Sequence, residues 1–316
     1  MIDSDQSIDP ELLDMLEKWP SMTVNATMLD TIRASGELLL GEIVNPDYVD
    51  KQVMLVPGTD ATPEIPLTFY RPADRADDVL PCIYHIHGGG YICGTAASHE
   101  PIHRQMVLDL NCMIVSVDYR LAPETPFPGP LEDCYAGLAW LYGNAKELRV
   151  DPARIGLLGE SAGGGLAAAL ALLARDRRVY PLAFQQLVYP MLDDRTCTAE
   201  PHPHAGRFVW NNGSNDFGWR SYLGHAPGAA TVSPYAAAAR AVDLSGLPPA
   251  FVSTGALDLF VDEDINYAAR LVRAGVGTEL HVYPGAIHGF YLHPTASVAL
   301  QANRDAKDWL RRHLYP

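Results

Sequence analysis

Ile155-Gly156-Leu157-Leu158-Gly159-Glu160-Ser161-Ala162-Gly163-Gly164-Gly165-Leu166-Ala167-Ala168 is the stretch that decides the fold class. Its first four residues form an apolar run of strand length. From Gly163 to Ala174 the chain is built of small residues and leucines, which favour a helix packed close to a sheet. Gly159 and Gly163 have no Cβ, so the backbone can turn tightly and strand and helix can approach. Such a turn lifts the Ser161 hydroxyl above the strand end, at the positive end of the helix dipole. Gly163 to Ala168 also fits G-x-G-x-x-A, a dinucleotide-binding fingerprint. That fingerprint needs its turn directly at the strand end and a carboxylate closing the next strand. Here the strand ends four residues earlier, and the next strand, Phe184 to Val188, runs into Tyr189-Pro190. The nucleotide reading is set aside.

Outward from this stretch, strands alternate with helices, which predicts an α/β fold with a mostly parallel, eight-stranded sheet covered by helices on both faces. Strands are expected at Gln52 to Val56, Ile65 to Tyr70, Cys82 to Ile86, Met113 to Val117, Ile155 to Leu158, Phe184 to Val188, Phe251 to Thr254 and Glu279 to Tyr283. The first two read as an antiparallel pair. Helices are expected at Leu131 to Leu148, Gly163 to Ala174, Glu263 to Ala274 and Val298 to His313. Two segments break the alternation. Residues 1–48 carry amphipathic helical stretches (Pro10 to Trp19, Ala26 to Leu40). Residues 191–232 are rich in Gly, Asn, His and Pro, with Phe208, Trp210, Phe217, Trp219 and Tyr222 among them. Aromatic side chains in an insertion after a strand suit a lid or a pocket wall.

The chain has 316 residues, 48% hydrophobic and 19% charged, enough for one large α/β domain with a smaller lid. A formal net charge of −15 repels phosphate backbones and anionic headgroups, so neither nucleic acid nor a membrane surface is an expected partner. Met1-Ile2-Asp3-Ser4-Asp5 lacks a basic n-region, and no apolar run is long enough for a bilayer. The five cysteines (Cys82, Cys93, Cys112, Cys134, Cys197) show no C-x-x-C spacing and read as free thiols. These features predict a cytoplasmic protein.

A serine hydroxyl needs a base to take its proton and a carboxylate to orient that base. Downstream of Ser161, Asp258 follows the strand Phe251 to Thr254, and His288 follows the last strand in Pro284-Gly285-Ala286-Ile287-His288-Gly289-Phe290. Both fall at the sheet edge that carries Ser161, where open α/β sheets build sites. Asp262 and Glu263 compete as the acid but read as a first helical turn, where acids suit the dipole. His281 competes from within a strand, and His293 from beyond the glycine-flanked turn.

His87-Gly88-Gly89-Gly90-Tyr91 follows the strand Cys82 to Ile86 and offers unhindered backbone N–H groups to a developing oxyanion. The expected hole is Gly89 N–H, Gly90 N–H and Ala162 N–H, with His87, Gly88 and Glu160 as supporting motif residues. Tyr91, Phe208, Trp210 and Phe290 are the expected pocket residues. His99-Glu100-Pro101-Ile102-His103 is a literal H-E-x-x-H, yet zinc ligation by that motif needs both histidines on one helix face. Pro101 belongs in a first helical turn, with Ser98 as N-cap, so no metal is expected.

Five motifs in order resemble those of the hormone-sensitive lipase family of bacterial carboxylesterases. They are His87-Gly88-Gly89-Gly90-Tyr91; Asp118-Tyr119-Arg120-Leu121-Ala122-Pro123-Glu124 with Pro126-Phe127-Pro128; Gly159-Glu160-Ser161-Ala162-Gly163-Gly164; Asp258-Leu259-Phe260-Val261-Asp262-Glu263; and His288-Gly289-Phe290. The resemblance implies an α/β-hydrolase catalytic domain over 49–190 and 233–316, with a helical cap from 1–48 and 191–232. It implies hydrolysis of short- to medium-chain acyl esters without a cofactor, a small-molecule ester as the partner, and often a homodimer. The family's Ser, Asp and His fall on Ser161, Asp258 and His288, and Arg120 and Glu124 would brace nearby loops. Glu160 departs from the commoner Asp before the nucleophile. Amide or lactone hydrolysis would use the same triad. A non-catalytic binding protein is the other alternative, but the gibberellin receptors that represent it lack the histidine present here as His288.

Overall fold

The computed structural model describes residues 7–19, 21–36, 41–43, 46–58 and 63–316. Eight strands form one sheet: β1 (Val49–Val56), β2 (Ile65–Pro72), β3 (Leu80–Ile86), β4 (Met113–Val117), β5 (Val150–Glu160), β6 (Gln185–Val188), β7 (Ala250–Gly255) and β8 (Thr278–Tyr283). Their order is β1-β2-β4-β3-β5-β6-β7-β8. β2 runs antiparallel to both β1 and β4, and every other pairing is parallel. The expected mostly parallel sheet is therefore present. The chain leaves β3 for β4 on one side and returns to β5 on the other. That reversal opens a crevice beyond the C-terminal ends of β3 and β5.

Among the described residues the α-helices are α1 (Leu13–Lys18), α2 (Leu29–Gly36), α3 (Glu100–Leu110), α4 (Gly129–Gly143), α5 (Ala162–Arg177), α6 (Asn212–Leu223), α7 (Val261–Arg273) and α8 (Ser297–Leu314). The sheet's alternation decides which of them it buries. Ile83, Ile114, Leu158 and Phe251 pack with Val107 and Leu110 of α3 and Trp309, Leu310 and Leu314 of α8. Their strand neighbours Tyr84, Val115, Leu157 and Val252 face the opposite way, onto α4, α5 and α7. Side chains that alternate along strands buried on both faces give such uninterrupted apolar runs.

Several boundaries differ from expectation for local reasons. β5 begins at Val150, paired with Leu80, and then slips register before Cys82 meets Ile155. The loop-out contains Pro152, which cannot donate to a ladder, and Asp151, whose carboxylate accepts from Ala153 N at 3.0 Å. α4 stops at Gly143, five residues before the expected Leu148, where the Asn144 side chain folds back to donate to Trp140 O at 2.8 Å. The expected helix Ala26 to Leu40 is a 3₁₀ turn (Ala26–Met28) followed by α2, and residues 37–40 lie outside the described set. α6 was hidden in the polar insertion. It is capped by Asn211, which accepts from Ser214 N at 3.0 Å, and ends at Gly224 in the left-handed region.

The two segments that broke the alternation meet in space. Ser214 of α6 accepts from Val24 N at 2.9 Å and donates to Met22 O at 3.1 Å, while Ser21 Oγ accepts from Val209 N at 3.1 Å. Ile8, Leu12 and Met15 pack against Tyr189, Phe208, Ala286 and Phe290. Asp9 N donates to Gly285 O at 3.0 Å, anchoring the chain start to the loop after β8. None of the described helices is long and apolar enough to cross a membrane.

Ser214 is fully buried and makes two of these ties. Ser214→Ala should cost about 1–2 kcal/mol of local stability and reduce amide protection across residues 21–36 roughly tenfold. Hydrogen exchange read by mass spectrometry checks this, and unchanged protection there would contradict it.

Candidate active site

Three loops beyond strand C-termini converge at the crevice. β5 delivers Ser161 with φ 55° and ψ −122°, backbone angles that a side-chain-bearing residue adopts only under restraint. The restraints are hydrogen bonds. Ser161 N donates to Val188 O at 2.9 Å, and Ser161 O accepts from Gly165 N at 3.0 Å and Met191 N at 2.9 Å. The missing Cβ atoms are also required. A Cβ on Gly163 would lie 2.0 Å from Ile86 O, and one on Gly159 would lie 2.2 Å from Gly163 O. The start of α5 is thus pressed directly onto the end of β3.

His288, on the loop after β8, places Nε2 at 3.0 Å from Ser161 Oγ and Nδ1 at 2.8 Å from Asp258 Oδ2. Asp258 is fully buried, and its second oxygen accepts from Phe260 N at 3.0 Å. Tyr189 and Phe260 flank the imidazole, with ring centroids at 4.6 Å and 5.5 Å. Sequence reading missed both rings, although Tyr189 stands directly after the C-terminus of β6. The competing residues are engaged elsewhere. His281 meets Glu279 at 2.9 Å and His293 meets Asp14 at 2.9 Å. Glu263 accepts from Leu192 N at 2.7 Å, and Asp262 is exposed.

The glycine loop crosses the Ser161 turn. A Cβ on Gly88 would sit 2.9 Å from Glu160 O and 3.4 Å from Ser161 Cβ. Gly89 (φ 117°) and Gly90 (φ 60°) are in the region that favours glycine, and a Cβ on Gly90 would strike the Trp210 ring at 2.3 Å. Within the described residues the Gly89 and Gly90 amides donate to no acceptor. The Ala162 amide, at the first position of α5, has no intrahelical acceptor. The loop is held from below by Tyr119, whose hydroxyl donates to His87 O at 2.9 Å and whose ring stacks on His87 at 4.3 Å. Arg120 grips the buried Asp133 with two nitrogens, both at 2.8 Å, and Glu124 pairs with Arg33 at 2.8 Å.

Of the expected pocket residues, Trp210 covers the glycine loop and Phe208 is nearly buried beside α1. Tyr91 and Phe290 lie in the core rather than on a pocket wall. Tyr91 is fully buried, stacks on Tyr222 at 4.1 Å and donates to Met191 O at 3.0 Å; Phe290 packs on Tyr283 at 5.4 Å.

Glu160 points away from Ser161 to the α3 side of the sheet. Its carboxylate meets His85 Nε2 at 3.0 Å and His99 Nε2 at 4.0 Å. Burial pushes its pKa up, but the two imidazoles, with the His85 hydrogen bond, outweigh that and hold it below the usual range. Burial lowers His99 to about 4. The H-E-x-x-H residues do not share a helix face, because His99 precedes α3 as its N-cap residue. Glu100 pairs with Lys51 at 2.5 Å and Arg104 at 2.7 Å. Ser98 does not cap α3: it donates to Thr95 O at 2.8 Å, and its own amide donates to Thr95 Oγ1 at 3.2 Å.

Ser161, Asp258 and His288, in that chain order, are hydrogen-bonded in line beyond the strand ends of the sheet, the arrangement that recurs in α/β-hydrolases. A family model described as alpha/beta hydrolase fold matches residues 83–292. Carboxylesterase NlhH of Mycobacterium tuberculosis is 35% identical over 290 residues, 90% of this chain and 88% of that protein. An arylesterase of Saccharolobus solfataricus is 32% identical over 92% of this chain and 94% of its own length. Among solved structures, a bacterial heroin esterase superposes with a TM-score of 0.91 at 40% identity, covering 99% of this chain and all of that one. The chain belongs to the alpha/beta hydrolase family, as a member of its hormone-sensitive lipase group of esterases.

Gly163→Ala should cost about 1–3 kcal/mol, because the new methyl group meets backbone carbonyls rather than a flexible side chain. Urea unfolding checks this, and wild-type stability would contradict the tight packing described.

Proposed function

We propose that this carboxylesterase cleaves short- to medium-chain acyl esters with Ser161 as nucleophile, His288 as general base and acid, and Asp258 as orienter. The observation that carries the reading is the unbroken hydrogen-bonded chain from Ser161 Oγ through His288 to the buried Asp258. The substrate carbonyl oxygen lies among the Gly89, Gly90 and Ala162 amides. Ser161 Oγ bonds to the carbonyl carbon as its proton passes to His288 Nε2, and Asp258 stabilises the imidazolium. His288 then gives that proton to the departing alcohol, and the C–O bond breaks to leave the acyl-enzyme. Water repeats the cycle: it loses a proton to His288 and attacks the acyl carbon, and the acyl C–Oγ bond breaks as His288 returns that proton to Ser161 and the acid leaves. The donors are fixed by backbone geometry, so little reorganisation is needed when charge develops.

Residues 1–48 and 191–232 form the cap over this site, supported by the ties from Ser214 and Ser21 between their described parts. The five cysteines are free, which fits the reducing cytoplasm.

Ser161→Ala should lower kcat on p-nitrophenyl butyrate by at least about a thousandfold, and Asp258→Asn by about 10⁴-fold through loss of the correct tautomer. A fluorophosphonate should label the wild type and not the Ser161 variant. Near-normal turnover by Ser161→Ala would overturn the assignment. Matched anilide substrates should react far more slowly than esters in the same assay.

A further inference from the structure

Behind the Ser161 turn, on the α3 side of the sheet, lies a second cluster of chemically capable side chains that the ester chemistry does not use. His85 of β3, His99 at the start of α3 and Glu160 of β5 each offer one ligand atom, and the three atoms lie within 4.8 Å of one another. All three residues are buried. Each imidazole is oriented by a serine on its far nitrogen. His85 Nδ1 meets Ser116 Oγ at 2.7 Å and His99 Nδ1 meets Ser98 Oγ at 3.2 Å, so both Nε2 atoms face the carboxylate. This is how metal-binding histidines are held, with the second ring nitrogen anchored by an outer hydrogen bond.

The spacing suits a small transition-metal ion. Tetrahedral zinc bonded at about 2.0–2.2 Å separates its ligand atoms by about 3.3 Å. Here Glu160 Oε2 is 3.0 Å from one imidazole nitrogen and 4.0 Å from the other. Beside them His103 is buried with both ring nitrogens unpartnered among the described residues, its ring centroid 4.2 Å from that of His85. A buried polar atom without a partner is a deficit that a coordinated ion or its water would remove. A cleft of about 550 Å³ whose walls include Glu160, Pro101 and Ile102 supplies an entry path.

We propose that His85, His99 and Glu160 form a structural binding site for one borderline divalent cation of the zinc class, with a water completing four-coordination. The set differs from the sequential H-E-x-x-H that the sequence argued against: it takes His99 from that motif but draws its other two ligands from β3 and β5. The site does not depend on the ester reading, since no side chain among its ligands hydrogen-bonds to Ser161, His288 or Asp258.

The test uses the full-length chain stripped by a chelator and titrated with Co²⁺. One equivalent should bind and give the intense visible bands of four-coordinate Co²⁺, and Zn²⁺ should discharge them while raising Tm. X-ray absorption on the zinc form should show two imidazoles and a carboxylate. Ser116→Ala, which leaves all three ligands in place, should weaken binding about 10–100-fold. His99→Gln should abolish it, with circular dichroism checking that the variant folds. His202→Gln with His204→Gln, a half-buried and an exposed histidine outside the cluster, should leave the binding unchanged. No stoichiometric binding by the wild type overturns the proposal, as does binding unaffected by Ser116→Ala or lost with the His202/His204 pair.

Discussion

The contact between the start of α5 and the end of β3 is the constraint from which the site follows. Gly163 brings the helix so near Ile86 O and His87 O that a methyl group has no room. With the two elements in contact, the chain leaving β3 must cross directly over the Ser161 turn, where Gly88 lies against Glu160 O and Ser161 Cβ. The strained angles at Ser161 are the other side of the same approach, costing about 1–3 kcal/mol and held by three backbone hydrogen bonds. The remaining supports, the Tyr119 ring under His87 and the grip of Arg120 on Asp133, keep that crossing in register.

The carboxylates show how one chain assigns unlike work to like groups. Asp258 is buried against an imidazole and a backbone amide. Glu160, only one residue from the hydroxyl, turns to the other face of the sheet because strand side chains alternate. Glu263 is spent on the loop after β6, where it accepts amides of Leu192 and Asp193. Burial raises the pKa of Glu263 well above the ordinary range, despite those hydrogen bonds. Proximity in sequence to a reactive residue therefore says little about which side of the sheet a group serves.

Much of this was legible in the sequence, and what was not has a physical reason. The buried strands announced themselves as apolar runs, and Ser161, Asp258 and His288 each stood just beyond one, so their convergence followed from the sheet. The break in β5 did not show, because Asp151 and Pro152 carry no apolar signal although Val150 rejoins the ladder. α6 was masked by its polar composition, with only the Asn211 cap as a cue. Tyr91 and Phe290 looked like pocket residues because they adjoin motif residues, yet each sits in the core. The meeting of His85, His99 and Glu160 depends on the register of β3 with β5 and on where α3 begins. No local pattern encodes that.

Arg33 gives the N-terminal segment a structural consequence. From α2 its guanidinium donates to Ile92 O at 2.9 Å and Ala122 O at 3.0 Å while pairing with Glu124, and so joins the far end of the glycine loop to the segment that follows β4. α2 is thus mechanically tied to the glycine loop. Grafting that segment from a relative, to change which substrates enter, would transplant half of a joint whose other half stays behind. A chimera that separates segment and acceptor loop would break these hydrogen bonds.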